Sequence, residues 1–528
     1  MPAATDVIAD RVWDRLPPAG PTRRDATLST LIFVLLLAIA CAWVLYLPVF
    51  PSQDGPVHVY YARVAGDLML GGHAYDQQFR VARPFPPYSV HAYLLMAILP
   101  WTSSELAEKL LACFSMLVCG LGVLSLSRRM GRSLIFCALG VPFLLNRYLF
   151  LGFYGYTIAI GLALMAMAEW LRPDRGRPLR RVVFLALTVA TLFSHPVPYL
   201  LLIAFCWLAV LAGWSNRRNH ASNEVAIQPP TRGDLLVLII ASTLLLYIRH
   251  YSHSGMLWNY EWAAEWNAKL LRILDVFRTW NILPLKAAAY NFVLGAVLVG
   301  ITVAALARAR RESRTGSITP AQLIAGFALL VLFSLPLLPR TMNGSGFFAD
   351  RFAIWPPLLL IAAAGAVEMR RKTVVATAGI AAVVLAVTLF YLNAYLGPIA
   401  RSEDVSSIPA GIMAGERVFA YDGSRAAHLT YDPYLMAPVR AVDRSGAMLV
   451  NSPWTDLQII MLDAIGPAVK FTPEIGPQSL TGAPLRIAVI YSHCGVENPN
   501  TAPLFAQAHP ARWKVSTYGC FDIFQPAP

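Results

Sequence analysis

One acidic residue, Asp54, stands in the stretch Pro51-Ser52-Gln53-Asp54-Gly55-Pro56-Val57-His58, directly after the first long apolar run of the chain. A carboxylate held at a membrane surface can act as a general base, taking the proton of a hydroxyl nucleophile as the new bond forms. His58, His73 and His91 share the same connection, and His195 precedes Pro196 at another turn on that side. Such histidines could help to hold a divalent ion or contact an acceptor. No zinc-type spacing is present, and interfacial or turn-capping imidazoles would read the same way. Arg351, in Phe348-Ala349-Asp350-Arg351-Phe352, presents a planar fork that suits phosphate oxygens. Lys109 is a further cation for a donor phosphate, and Arg340, Arg249 and Arg147 are weaker candidates of the same kind as Arg351. A base and cations together are what attack by a hydroxyl on a phosphate-activated carbon requires. Each also has a plain alternative: Asp54 as a solvated loop carboxylate, and Arg351 as a snorkelling side chain neutralised by Asp350. Trp258, Tyr260, Trp262 and Trp266 could stack on a sugar or form an aromatic belt at the interface.

These residues must be held by membrane helices. The 528 residues are 57% hydrophobic and 14% charged, and apolar runs recur at about the 20 residues that a bilayer crossing needs. The net charge of +13 would suggest nucleic acid in a soluble protein. Here most basic residues fall in short clusters between apolar runs, so they read as topology signals and nucleic acid is excluded as a partner. Taking those clusters as cytoplasmic predicts about 11 transmembrane helices, with the N-terminus inside. A cleaved signal peptide is rejected because the apolar run continues past Cys41. The first outer loop, 51–108, carries Asp54. Gly55 and Pro56 predict that a helix starts at Pro56, and Val57, Tyr60, Tyr61, Val64 and Leu68 recur at helical spacing. That pattern predicts an amphipathic helix lying in the interface until Gly71-Gly72. A second juxtamembrane helix is expected before Pro100-Trp101, and Thr102 with Glu105 would cap the next span near Lys109.

The fold class expected is therefore an α-helical polytopic membrane protein with a small C-terminal α/β soluble domain. The transmembrane part is 1–396 and the soluble part 397–528. Strand-like segments begin at Arg417, Arg486 and Trp513. Five of the seven cysteines lie in apolar runs. Cys494 and Cys520, the two outside them, are expected to form a disulfide, since the tail should face an oxidising compartment.

This order of elements, with Gln53-Asp54-Gly55-Pro56-Val57-His58 opening the first outer loop, resembles the GT-C glycosyltransferase superfamily, which includes protein O-mannosyltransferases and aminoarabinose transferases. The resemblance covers the layout of residues 30 to 395. It implies a multi-pass enzyme of the cytoplasmic membrane with an extracytoplasmic C-terminal domain. It also implies a polyprenyl-phosphate-sugar donor, a lipid or glycan acceptor, Asp54 as base or metal contact, and in some relatives a divalent metal ion. Transfer is expected to invert the sugar. Relatives often carry arginine where this chain has Lys109. Two other readings remain open: a transporter or flippase for a lipid-linked sugar, which should show mid-membrane charges and paired repeats, and a non-enzymatic envelope assembly protein.

Overall fold

The structure is a computed structural model. It describes residues 23–75, 79–81, 87–131, 133–218, 226–246, 260–261, 317–339, 341–342, 350–367, 371–409, 411–422, 437–449, 460–462, 488–492 and 513–526, with 300, 303 and 369 besides. The first apolar run forms α1 (Arg23–Tyr46), and α2 (Gly55–Met69) follows with Pro56 in its first turn, where a missing N–H costs no hydrogen bond. The strand β1 (Phe79–Val81) leads to α3 (Val90–Ile98), continued by a tight turn over Leu99–Trp101. At this length α3 cannot cross a bilayer, as its sequence predicts.

Next come α4 (Ser104–Met130), α5 (Phe136–Leu144), the short α6 (Arg147–Phe150), α7 (Tyr154–Trp170), α8 (Pro178–Ser194), α9 (Pro196–Arg218) and α10 (Arg232–Thr243). After the short paired strands β2 (Tyr260–Glu261) and β3 (Thr341–Met342), with α11 (Pro320–Ser334) between them, follow α12 (Trp355–Ala364) and α13 (Arg371–Ser402). Among the described residues five helices are long and apolar enough to cross a membrane: Ala26–Tyr46, Ser104–Met130, Pro196–Arg218, Pro320–Leu337 and Arg371–Ser407. The chain is a multi-pass membrane protein; among the described residues α5, α7, α8, α10 and α12, with 9, 17, 17, 12 and 10 residues, fall short of that measure, and the crossings expected within 262–316 fall largely outside the described residues.

Three expectations need correction. Ser103, not Thr102, caps α4: its hydroxyl accepts the Leu106 N–H at 3.3 Å, whereas Thr102 is spent on the Ile98 carbonyl of the preceding turn at 3.2 Å. The last long helix does not end at the expected domain boundary of 396 but runs to Ser402, with Pro398 in its final turns. Finally, α2 does not carry the half-exposed face that its amphipathic pattern predicts. Ten of its 15 residues are buried, because α3, α4 and a helix of the tail cover the side that the sequence pattern leaves to water.

Glycine sets how closely the central helices approach. A Cβ on Gly161 of α7 would sit 2.3 Å from the Val118 carbonyl, and one on Gly122 of α4 only 2.4 Å from the Gly161 carbonyl. Small residues at such a crossing let two backbones touch without a hydrophobic driving force. Beyond α13 the tail forms β4 (Arg417–Asp422), α14 (Ala437–Ser445), β5 (Met448–Leu449), β6 (Ile460–Leu462), β7 (Ala488–Ser492), β8 (Trp513–Tyr518) and β9 (Phe521–Pro526). Five of these strands form one mixed sheet in the order β5-β4-β7-β9-β8, with β4 parallel to β5 and β7, and β9 antiparallel to β7 and β8. The sixth, β6, leaves it to pair antiparallel with β1 of the first loop.

Candidate active site

The C-terminal end of α1, the start of α2, the start of α7, the end of α8 and the start of α12 come together at one end of the bundle. The loop before α2 is laid against the α6–α7 turn by backbone hydrogen bonds, Gln53 N–H to the Phe150 carbonyl at 2.8 Å and Asp54 N–H to the Leu151 carbonyl at 3.2 Å. Gly152 makes this fit possible. It sits at φ +81, and a Cβ there would fall 2.7 Å from the Gly55 nitrogen.

Asp54 is the N-cap residue of α2, yet its side chain does not cap the helix. It is 5% exposed and receives one side-chain hydrogen bond, from Gln53 Nε2 at 3.2 Å. Among the described residues it has no ion pair. Burial pushes its carboxyl up to about 7, while the Gln53 hydrogen bond and the Arg351 charge pull the other way. A carboxyl poised there can exchange a proton at neutral pH.

Arg351 lies in a short turn before α12, with its guanidinium over the Phe153 ring at 5.0 Å. The hydroxyls of Tyr148 and Tyr156 donate to the carbonyls of Asp350 and Arg351 and hold that turn in place. His195 Nδ1 accepts the Val197 N–H at 3.1 Å, which puts the hydrogen of the neutral ring on Nε2. That nitrogen faces Arg351 Nη1 at 3.5 Å. Two donors thus converge, an arrangement suited to an anionic oxygen. With both nitrogens so used, His195 keeps no lone pair for a metal, which corrects that expectation.

His58, one turn along α2, and His91 of α3 meet through Nδ1 and Nε2 at 3.3 Å, both buried. Burial lowers His58 to about 4, and burial together with the neighbouring His58 holds His91 well below the usual imidazole value, so both rings are neutral at physiological pH. The pair spends one nitrogen of each ring on the other. Among the described residues no three His, Cys, Asp or Glu side chains converge to hold a metal ion. The donor set does not fit the divalent ion implied by the resemblance, and no step is assigned to one.

Tyr88 joins these groups. Its ring lies 4.5 Å from His91, 5.2 Å from His195 and 6.2 Å from His58, and its φ of 73 is the left-handed value that a bulky residue rarely adopts. The Ser89 N–H bonds to the Phe193 carbonyl at 2.8 Å, so α3 is tied to the end of α8 beside His195. Sequence reasoning missed Tyr88; only the two prolines before it hint at an unusual backbone.

Lys109 is not in this group. Its ammonium donates to the carbonyls of Leu45, Leu47 and Pro48 at 3.3, 2.8 and 3.4 Å, closing the C-terminal end of α1 and its negative dipole. The phosphate role expected of it is withdrawn, since one turn of α4 turns it toward α1. Arg249, Arg340, Cys494, Trp258, Trp262 and Trp266 lie outside the described residues, and Tyr260 lies in β2. Cys520 is disulfide-bonded.

No protein-family model matches the chain, and no curated protein matches it. Solved structures do. ArnT from Cupriavidus metallidurans in the apo state matches with a TM-score of 0.51 at 14% identity, over 93% of this chain and 97% of that chain. The same ArnT bound to undecaprenyl phosphate matches with a TM-score of 0.46 at 12% identity and the same coverage. Over nearly its whole length, then, this chain has a fold like that of ArnT.

Proposed function

We propose that the chain is an integral membrane glycosyltransferase that moves a sugar from a polyprenyl-phosphate donor to a hydroxyl of a lipid or glycan acceptor, with inversion, on the outer face of the cytoplasmic membrane. One observation carries this reading: the buried, unpaired carboxylate of Asp54 shares its surroundings with the Arg351 guanidinium and the Nε2–H of His195. In the reaction Asp54 takes the acceptor proton as the acceptor oxygen bonds to the anomeric carbon. The bond from that carbon to the phosphate oxygen breaks, and its electron pair leaves with the polyprenyl phosphate. Arg351 and His195 stabilise the departing charge, at a site from which burial excludes most water. The neutral His58–His91 pair and Tyr88 line the approach to Asp54 and orient the sugar. The fold likeness to ArnT is consistent with this chemistry, and among the described residues the buried charges gather near the helix ends, whereas a transporter would need them within the spans.

The purified protein in lipid nanodiscs would be given radiolabelled sugars on undecaprenyl phosphate together with a membrane-lipid acceptor extract. Labelled product from the parent, lost in Asp54→Asn while undecaprenyl phosphate still raises Tm in both, is the expected result. A parent that neither transfers label nor gains Tm from undecaprenyl phosphate would overturn the proposal.

A further inference from the structure

The C-terminal segment reaches into the bundle next to Asp54. Arg440 of α14, 6% exposed, places Nη1 2.5 Å from Glu108 Oε2, Nε 3.2 Å from Glu403 Oε2 and Nη2 2.6 Å from the Phe50 carbonyl. Glu108, at the start of the second turn of α4, and Glu403, just past α13, are both fully buried. The other oxygen of Glu108 accepts from the Ser52 hydroxyl and from the Tyr154 hydroxyl, the latter at 2.8 Å. A continuous polar path therefore runs from the tail through Glu108 to Ser52, two residues before Asp54. Space around it is closed: a Cβ on Gly55 would stand 1.8 Å from Glu108 Oε1.

The same helix grips α2 a second time. Asp443, one turn after Arg440, pairs with Arg63 at 2.7 Å and accepts from Ser104. The β6–β1 pairing adds a third tie between tail and first loop.

Two carboxylates sharing one guanidinium away from water is a poor way to gain stability, because desolvating three charges offsets much of their attraction. A network of this kind defines geometry, since its hydrogen bonds are satisfied in only one arrangement.

We propose that Arg440 is a positioning residue: by docking α14 onto Glu108 and the Phe50 carbonyl, it holds the 50–54 loop so that Asp54 stands where transfer requires it. The tail is thus part of the catalytic apparatus, besides any part it takes in acceptor binding. This rests on Asp54 as the base, so the test carries one readout that does not need turnover.

Three variants are compared with the parent: Arg440→Met, Arg440→Lys, and the charge-free Glu108→Gln/Glu403→Gln/Arg440→Met, which leaves no buried ion without its partner. Arg444→Met, on the same helix but bonded within the tail to the Ile408 carbonyl, is the control. In a Gln53→Cys background, the rate at which a membrane-impermeant maleimide modifies residue 53 reports loop position. The charge-free variant is expected to keep the parental Tm within a few degrees, whereas Arg440→Met, which strands two buried carboxylates, should lower it; both are expected to lose about 10- to 100-fold in kcat at an unchanged donor KM and to label faster at residue 53. Arg440→Lys should recover part of both. Any folded variant with parental kcat and parental labelling overturns the proposal. So does failure of all three to fold, because the network would then be a folding element. If the parent lacks transferase activity but the variants label faster, the proposed function fails while the clamp on the loop stands.

Discussion

Two aspartates begin helices at opposite ends of the bundle, and their surroundings differ in kind. Asp234, in the first turn of α10, is 2% exposed and fully partnered. Arg181 Nε reaches Oδ1 at 3.1 Å, Arg175 Nε reaches Oδ2 at 3.3 Å, and the Thr231 N–H completes a capping box at 3.0 Å. Asp54, at the start of α2, is 5% exposed and has a single weak donor in Gln53. Burial alone therefore does not mark a chemical carboxylate; burial without the partners that would fix its charge does. The arginine-rich end spends its carboxylates on structure, and the Asp54 end keeps one in reserve.

The largest effect expected from this contrast is on turnover. Asp54→Asn keeps size and most hydrogen bonding but cannot accept the proton, so kcat should fall by about 10²- to 10⁴-fold. Its Tm at pH 8 should be no lower than that of the parent, because the variant no longer buries an ionised group. A folded variant with near-parental kcat would make Asp54 a structural residue like Asp234.

Arg351→Ala should cost about 10- to 100-fold in kcat/KM for the donor, as expected for loss of a charge-assisted hydrogen bond to phosphate. Lysine should restore only part, lacking the planar fork. Equal effects of the two substitutions, or none, would remove Arg351 from the donor site.

The pH dependence is smaller and has a definite sign. The Asp54 carboxyl is raised from 3.8 to about 7 in the folded chain. Its protonated form is the one that favours folding, so this contribution to stability is lost as pH rises through about 7. Activity runs the other way: the base must be ionised, and kcat/KM should rise about tenfold from pH 6 to pH 8. A flat profile over that range would argue that another group takes the proton.

Smallest for activity is Asp234→Asn. It leaves the half-buried Arg175 and Arg181 short of a counter-charge and should cost about 1–3 kcal/mol in stability, with kcat unchanged. Denaturation in detergent alongside turnover measures both. A change in kcat without loss of stability would dissolve the distinction between the two ends.

Some of this is legible in the sequence. Gly55-Pro56 marks the start of α2 because these residue types act locally on the backbone, and β4, β7 and β8 lie near the strand-like segments because period-two patterning is also local. The role of Lys109 is not legible there, for the opposite reason. Its charge is visible in sequence, but its partners are three carbonyls some sixty residues earlier. The amphipathic pattern of α2 was real, yet α14 covers the face that the pattern leaves polar, and nothing near α2 in the chain announces it.

The chain by itself determined that it is a multi-pass membrane protein, where its apolar helices and its tail lie, and that Asp54 stands at a helix start beside an apolar run. Hydropathy and turn chemistry act over a few residues, so a single sequence suffices for them. Only the tertiary structure decided that Asp54 is buried near Arg351, that His195 turns its N–H toward that arginine, and that Arg440 from the tail closes on Glu108 behind the loop. These pairings join residues 156 to 390 positions apart, and at such separations burial and partner choice depend on how helices stack, which no local pattern encodes.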